Sequence, residues 1–412
     1  MFKSVYSHSV PLLDFWNELA THRAGDVALW HPRAPEGLRF GQIDRRSREL
    51  SVDGTHGIAC GESLDFFPSI IAAWRARKPV VLVETEKCQV RPIRGAIPPD
   101  ILLIKQTCGV SGVERSLFFT ADQLMAEAQS NIDGLGLHGE RRGLAAISLA
   151  HSFGFGCLAL PLLVGGIPLE IVPGPMPMFM YGALAKGGPL FLPGVPAMWK
   201  TWWLTGLAAD RAIDLAVSAG SPLSLELERG IHSECGLRVR NFYGTSETGA
   251  ISLDRSKALR ISAECVGTPL PGVDVTSDEN GRILVSTLAR AHGADLVFAE
   301  DEFGDGSYRT HDIGEIRDGE IFIQHCDGGA INVAGRKVSP AKLCSILEGI
   351  DGVLTAEVTC GTSRDFERFN EIRVHVCVTQ DADPKQVREQ FRQQIESWEM
   401  PRKWKFDMIT RH

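Results

Sequence analysis

The stretch Asn241-Phe242-Tyr243-Gly244-Thr245-Ser246-Glu247-Thr248-Gly249 concentrates groups that handle phosphate: an aromatic approach runs into two glycines, three hydroxyls and one carboxylate. Glycine-rich backbone turns its N–H groups toward an anion, hydroxyls donate to phosphate oxygens, and a carboxylate holds a hard cation such as Mg²⁺. A second stretch, Lys105 to Arg115, carries hydroxyls at Thr107 and Ser111, glycines at Gly109 and Gly112, and a cation at Arg115. It fits neither the G-x-x-x-x-G-K-[ST] loop nor the G-x-G-x-x-G fingerprint. A third, Tyr308 to Gly314, holds one carboxylate, Asp312, at an expected turn, where it can accept both hydroxyls of a ribose. The turn Ser218 to Leu223 contributes Gly220, Ser221 and Pro222, and His151 follows an apolar run. Each has an ordinary structural reading too: a Ser/Thr/Gly surface turn, a strand exit, a turn-forming Asp, a histidine satisfied by its own fold.

Composition narrows the classes. At 412 residues the chain suggests two or three domains, and 44% hydrophobic with 23% charged residues is ordinary for a globular protein. The formal net charge is −8, with no basic tail or stripe, so a nucleic-acid partner is not expected. Ten cysteines are scattered without a C-x-x-C pair, which fits neither a zinc ribbon nor a disulfide framework and suits a reducing compartment. No apolar run reaches the ~18 residues of a membrane span, and the N-terminus does not read as a signal peptide, so a cytoplasmic location is expected.

The elements that must position these groups follow an α/β rhythm. Helices are expected at Leu12–Leu19, Phe40–Leu50 and Phe66–Arg75, and buried strands at Pro79–Val83, Ile101–Ile104 and Leu144–Ala150. Thr120 and Gln123 form a capping box for a helix to about Asn131. Leu158–Ile171 reads as a core helix and a strand, and 173–189, rich in Pro, Gly and Met, as a loop. The cluster Trp199, Trp202 and Trp203 reads as core packing or as the wall of an apolar pocket. Ile213–Val217 and Leu237–Phe242 are strands, and 261–325 alternates as antiparallel β-structure. From about residue 327 a compact α+β unit begins, ending in a helix that places Val387, Phe391, Ile395 and Trp398 on one face. Residues 327–329 read as the linker.

The stretches at 107–115, 243–249 and 308–314, followed by Gly335-Arg336-Lys337-Val338-Ser339-Pro340, together resemble the adenylate-forming (AMP-binding) superfamily of acyl- and aryl-CoA synthetases and standalone adenylation domains. The match runs in order from about residue 66 to the end, and Tyr-Gly-Thr-Ser-Glu-Thr-Gly is its most specific part. The resemblance implies an α/β fold: a large nucleotide- and acyl-binding domain over 1–326 with a β-rich subdomain, and a small mobile α+β lid over 327–412. It implies an acid–thiol ligase: a carboxylate attacks the α-phosphate of ATP, acyl-AMP and pyrophosphate form, and a thiol takes the acyl group. That thiol belongs to CoA or to the pantetheine of an acyl carrier protein. On matching positions, Thr107, Gly109, Ser111, Gly112 and Arg115 would hold the β- and γ-phosphates, and Thr245, beside Gly244, the α-phosphate. Glu247 would hold Mg²⁺, Tyr243 would stack near adenine with Gly220, Ser221 and Pro222 around it, and Asp312 would take the ribose. His151 would border the acyl pocket, and Lys337 would contribute to nucleotide binding. Phe153 and the tryptophans point to an apolar or aromatic acid.

The departures from the pattern are specific. Cys108, Val110, Glu114 and Arg115 replace residues of the usual phosphate loop, Cys326 stands where an arginine is expected, and Gly328 where the hinge acid is expected. The family's late lysine, in a Gly-Lys pair, has no counterpart before Thr410-Arg411-His412; losing one such contact costs about 2.7–4 kcal/mol. A carrier-loading enzyme and a non-catalytic nucleotide- or acyl-binding homologue therefore stand beside the CoA-ligase reading.

Overall fold

The computed structural model describes residues 11–88, 90–108, 114–138, 140–296, 306–326, 331–333, 336–338, 340–362, 370–380 and 382–409. Gly109, Ser111 and Gly112, and the expected linker at 327–329, lie outside the described residues.

Two sheets organise the first part of the chain. In the five-stranded one, Gly57–Cys60, Val80–Val83 and Ile101–Cys108 run parallel, and Ile101–Cys108 then pairs antiparallel with Glu114–Thr120. Val80–Val83 is buried at every position, which is why it reads as an unbroken apolar run rather than an alternating one. In the helix Phe66–Arg75 every residue from Phe66 to Trp74 except Ser69 is buried. The thirteen-stranded sheet has two characters. Arg142–Ala145, Leu169–Ile171, Leu190–Gly194, Ile213–Ser218 and Val239–Thr245 are parallel. Beyond Val239–Thr245 every pairing is antiparallel, through Gly249–Leu253, Cys265–Pro269, Glu320–Cys326, Tyr308–Arg317, Arg282–Thr287 and Val273–Ser277. The strand Val239–Thr245 is the seam between the halves.

One large apolar cluster fills the space around both sheets, and a second, containing Trp199 and Trp202, lies under the strands at 190–194 and 213–218. A third cluster is built from residues 331–406 alone, under the sheet of Val353–Thr362, Asn370–Thr379 and Lys403–Ile409. Among the described residues no helix is long and apolar enough to cross a membrane.

Several sequence expectations change. The strand expected at 144–150 is Arg142–Ala145, and the chain turns before His151. The segment expected as a loop holds the helix Pro177–Leu184, opened by a proline at its first position, where the missing N–H costs nothing. The last amphipathic helix ends at Arg392; Ile395 and Trp398 still pack on its core, but from the chain beyond it and a 3₁₀ turn at Ser397–Glu399. Trp199 and Trp202 are fully buried, edge-to-face at 4.9 Å, and donate to the carbonyls of Val217 and Pro175. They are core, not pocket wall. The parallel strand Lys403–Ile409 had no counterpart in the sequence reading.

Candidate functional site

Asn241–Gly249 is a hairpin rather than a loop: the strand runs through Thr245, and Gly249 opens the next one, with Thr245 opposite Gly249. Both glycines are dictated by geometry. A Cβ on Gly244 would lie 2.5 Å from the Gly249 carbonyl oxygen, and Gly249 has φ +71° with Glu127 packed beneath it. Within the turn, Thr245 Oγ1 accepts from the Thr248 N–H at 3.2 Å and lies 3.0 Å from Thr248 Oγ1. This fixes the Thr245 side chain at the tip.

Groups from distant parts of the sequence meet this hairpin. Arg115 Nη2 donates to Glu247 Oε1 at 2.9 Å and to the Tyr308 hydroxyl at 3.4 Å, with the Arg115 side chain 2% exposed and that of Glu247 13%. Arg115 stands opposite Thr107 across the 101–120 hairpin. Tyr243 Oη donates to Asp312 Oδ2 at 2.5 Å. Asp312 is not at a turn: it lies within the strand Tyr308–Arg317, just before an irregularity in its pairing with Glu320–Cys326. Ser218 is in register with both Gly194 and Asn241, so the turn carrying Gly220, Ser221 and Pro222 sits at the same carboxyl edge as Phe242 and Tyr243. Gly220 has φ +82°, the conformation that lets the chain reverse there.

Three buried hydroxyl oxygens here, Thr107 Oγ1, Ser218 Oγ and Ser221 Oγ, have no hydrogen-bond partner among the described residues. Buried polar groups are nearly always satisfied, so orphans flanking the turn suit a polar ligand such as a nucleotide. The described residues hold no cluster of three or more His, Cys, Asp or Glu side chains around a common point. A divalent cation at Glu247 would thus draw most ligands from phosphate oxygens, as Mg²⁺ commonly does.

His151 immediately precedes the short helix Ser152–Gly154, whose Phe153 ring lies 5.8 Å from that of Phe242 in the first strand of the hairpin. His151 Nε2 lies 2.5 Å from Glu84 Oε1, with 53% and 37% of the two side chains exposed. The hydrogen bond and charge of His151, aided by Arg336, hold the Glu84 carboxyl below its ordinary range against the opposing effect of burial. Lys337 lies in the short strand Arg336–Val338 of the third cluster's unit. Sequence reading missed Glu84 and Glu127. Glu84 had a signal, an acid directly after four buried aliphatics.

Beneath the hairpin lies a buried ion pair. Lys105 Nζ is 3.1 Å from Glu127 Oε2, with side chains 2% and 1% exposed, and the ammonium sits 4.4 Å from the centre of the Phe119 ring. Lys105 and Thr107 share one face of their strand. The face that bears the Thr107 hydroxyl therefore also carries the pair that underpins Gly249.

The AMP-binding enzyme profile matches residues 57–286. Among curated proteins, the chain is 27% identical over 214 residues to a fatty acid–[acyl-carrier-protein] ligase of Streptomyces coeruleorubidus, covering 48% of this chain and 41% of that one. It is 23% identical over 288 residues to 4-coumarate–CoA ligase-like 2 of Arabidopsis thaliana, covering 65% and 51%. The chain thus spans about half the length of the curated relatives it matches. Its fold is that of o-succinylbenzoate CoA synthetase from Bacillus subtilis, with a TM-score of 0.80 at 15% identity over 95% of this chain and 94% of the other. The profile covers more than half of the sequence and contains the 101–120 hairpin, the 218–223 turn and the 239–253 hairpin, so this chain belongs to the AMP-binding enzyme family.

Proposed function

We propose that the protein activates a carboxylic acid with ATP, forming acyl-AMP and pyrophosphate, and passes the acyl group to a thiol. The observation that carries this reading is the convergence on one turn: Glu247 bonded to Arg115, and Tyr243, two residues before Thr245, bonded to Asp312. In this reading Asp312, oriented by Tyr243, accepts the ribose hydroxyls. The Gly220–Pro222 turn borders the base, and the orphaned Ser221 hydroxyl finds a partner there. Thr245 donates to the α-phosphate, and Thr107 and Arg115 meet the outer phosphates, with Gly109, Ser111 and Gly112 as the remainder of that loop. Mg²⁺ held by Glu247 would neutralise phosphate charge as the carboxylate attacks. The chemistry asked of the chain is positioning and charge stabilisation rather than covalent catalysis.

The unit over 327–412 serves as the lid, turning about 327–329 between the two half-reactions, with Lys337 approaching the nucleotide. Its separate apolar core supports independent movement. The acid is apolar or aromatic. Phe153, packed against Phe242 at 5.8 Å, supplies apolar surface two residues from His151, and the two curated relatives are named for a fatty acid and for coumarate. Those names also divide over the thiol, a carrier protein in one and CoA in the other. A cytoplasmic location accords with the unpaired cysteines among the described residues.

Incubation with ATP, Mg²⁺, a medium-chain or aryl acid, and either CoA or a pantetheine-bearing carrier protein tests the second half. The expected result is AMP release with one of the two thiols gaining the acyl mass. AMP bound without any acyl product on either thiol would favour a nucleotide-binding homologue instead.

A further inference from the structure

The Glu84–His151 pair joins the two large sheets where their carboxyl edges meet. Glu84 is the first residue after Val80–Val83 of the five-stranded sheet, and His151 follows Arg142–Ala145 of the thirteen-stranded one. The junction is close-packed. Gly61 donates to the Val83 carbonyl, and a Cβ on Gly61 would lie 3.4 Å from the Ala150 nitrogen and 3.5 Å from the Glu84 carbonyl oxygen. Backbone on both sides is therefore held, while the two side chains remain partly exposed. His151 also accepts the Phe155 N–H on its own carbonyl at 2.8 Å, which anchors it at the start of a helical run. The lid's Arg336 is near enough for its charge to act on Glu84.

We propose that His151 is the general base of the acyl-transfer step and that Glu84 is the residue that positions and charges it. The proposal rests on the ligase reading above. With Nε2–H donated to Glu84, the neutral imidazole keeps Nδ1 as a proton acceptor. As the thiol sulfur attacks the acyl carbonyl carbon of acyl-AMP, Nδ1 takes the S–H proton. The C–S bond forms, the C–O bond to the phosphate breaks, and AMP leaves with the bonding pair. The resulting imidazolium is stabilised by the Glu84 carboxylate and returns its proton to solvent. No oxidant or further co-reactant is needed. General-base help of this kind is worth about 10²–10⁴ in rate.

Around the pair stand Glu62 and Glu86, the latter 3.8 Å from Arg33, together with Arg336, His31 and the Cys60 thiol. Burial pushes the Cys60 thiol up, with the charges of Glu62 and Glu86 adding to it, and burial pushes His31 down.

The test uses the full chain, comparing pyrophosphate exchange with single-turnover acyl transfer to pantetheine, the thiol arm common to CoA and carrier proteins, from pH 5 to 9. Wild-type transfer is expected to rise through one ionisation. In Glu84→Gln that ionisation is expected to move to lower pH, because the imidazolium loses its anionic neighbour, and transfer should fall at least tenfold more than exchange. His151→Ala should lose the ionisation and regain rate with added imidazole. An unmoved profile in Glu84→Gln, or equal losses in both half-reactions, would overturn the proposal and leave the ligase reading standing. Absence of exchange in the wild type would overturn that reading and the proposal with it.

Discussion

Lys105→Met is expected to lower the stability of the protein by about 3–5 kcal/mol, because it leaves Glu127 charged and unpaired in the interior. Glu127→Leu should cost a similar amount, stranding the ammonium between Phe119 and Phe155. The double variant Lys105→Met/Glu127→Leu should recover most of the loss, since replacing a whole buried pair by apolar groups of similar size is often neutral. Denaturant unfolding of the three variants measures this directly. Additive losses would show that the pair is not the source. The prediction bears on the site because Glu127 lies under two glycines. A Cβ on Gly156 would meet Glu127 Oε1 at 2.5 Å, and one on Gly249 would meet its Cδ at 3.0 Å. The ion pair therefore sets the floor on which the Thr245–Glu247 turn rests. A protein that tolerates the double change in stability should still show a weakened affinity for ATP.

Glu247→Gln is the second large effect. Its amide oxygen can still accept from Arg115, so stability should change by about 1 kcal/mol, while adenylation should fall about 10²–10³-fold. The 2.9 Å Arg115–Glu247 contact pairs the side chain proposed to hold a cation with the cationic side chain proposed to meet phosphate. Each group is thereby partly neutralised before ligand arrives, and both can exchange partners when phosphate and cation enter together. Comparing unfolding midpoints with exchange rates separates the two roles. An exchange rate close to wild type would remove Glu247 from the metal-holding role.

Much of this was legible in the sequence, and for identifiable reasons. Gly244 and Gly249 announce themselves because the hairpin admits no Cβ at Gly244 and holds Gly249 at positive φ. The strand Val80–Val83 reads as a solid apolar run because both its faces are covered. Thr120 and Gln123 mark a helix start through a local bond, the Thr120 N–H donating to Gln123 Oε1 at 2.8 Å. What escaped was decided by partners far along the chain. Nothing near Lys105 says that its ammonium meets Glu127, and nothing near Arg115 says that it meets Glu247, 132 positions away. Asp favours turns, so sequence alone suggests one at Asp312, yet pairing with 320–326 makes the segment a strand. The tryptophans at 199 and 202 look alike as pocket or core in sequence, and only the carbonyl partners of their indole N–H groups decide.

The central claim is that this chain adenylates a carboxylic acid, and carboxylate-dependent exchange of labelled pyrophosphate into ATP tests it most directly. A panel of fatty and aryl acids should give exchange with at least one acid, absent without acid and strongly reduced in Glu247→Gln. No exchange with any acid, from a folded protein that measurably binds ATP, would contradict it.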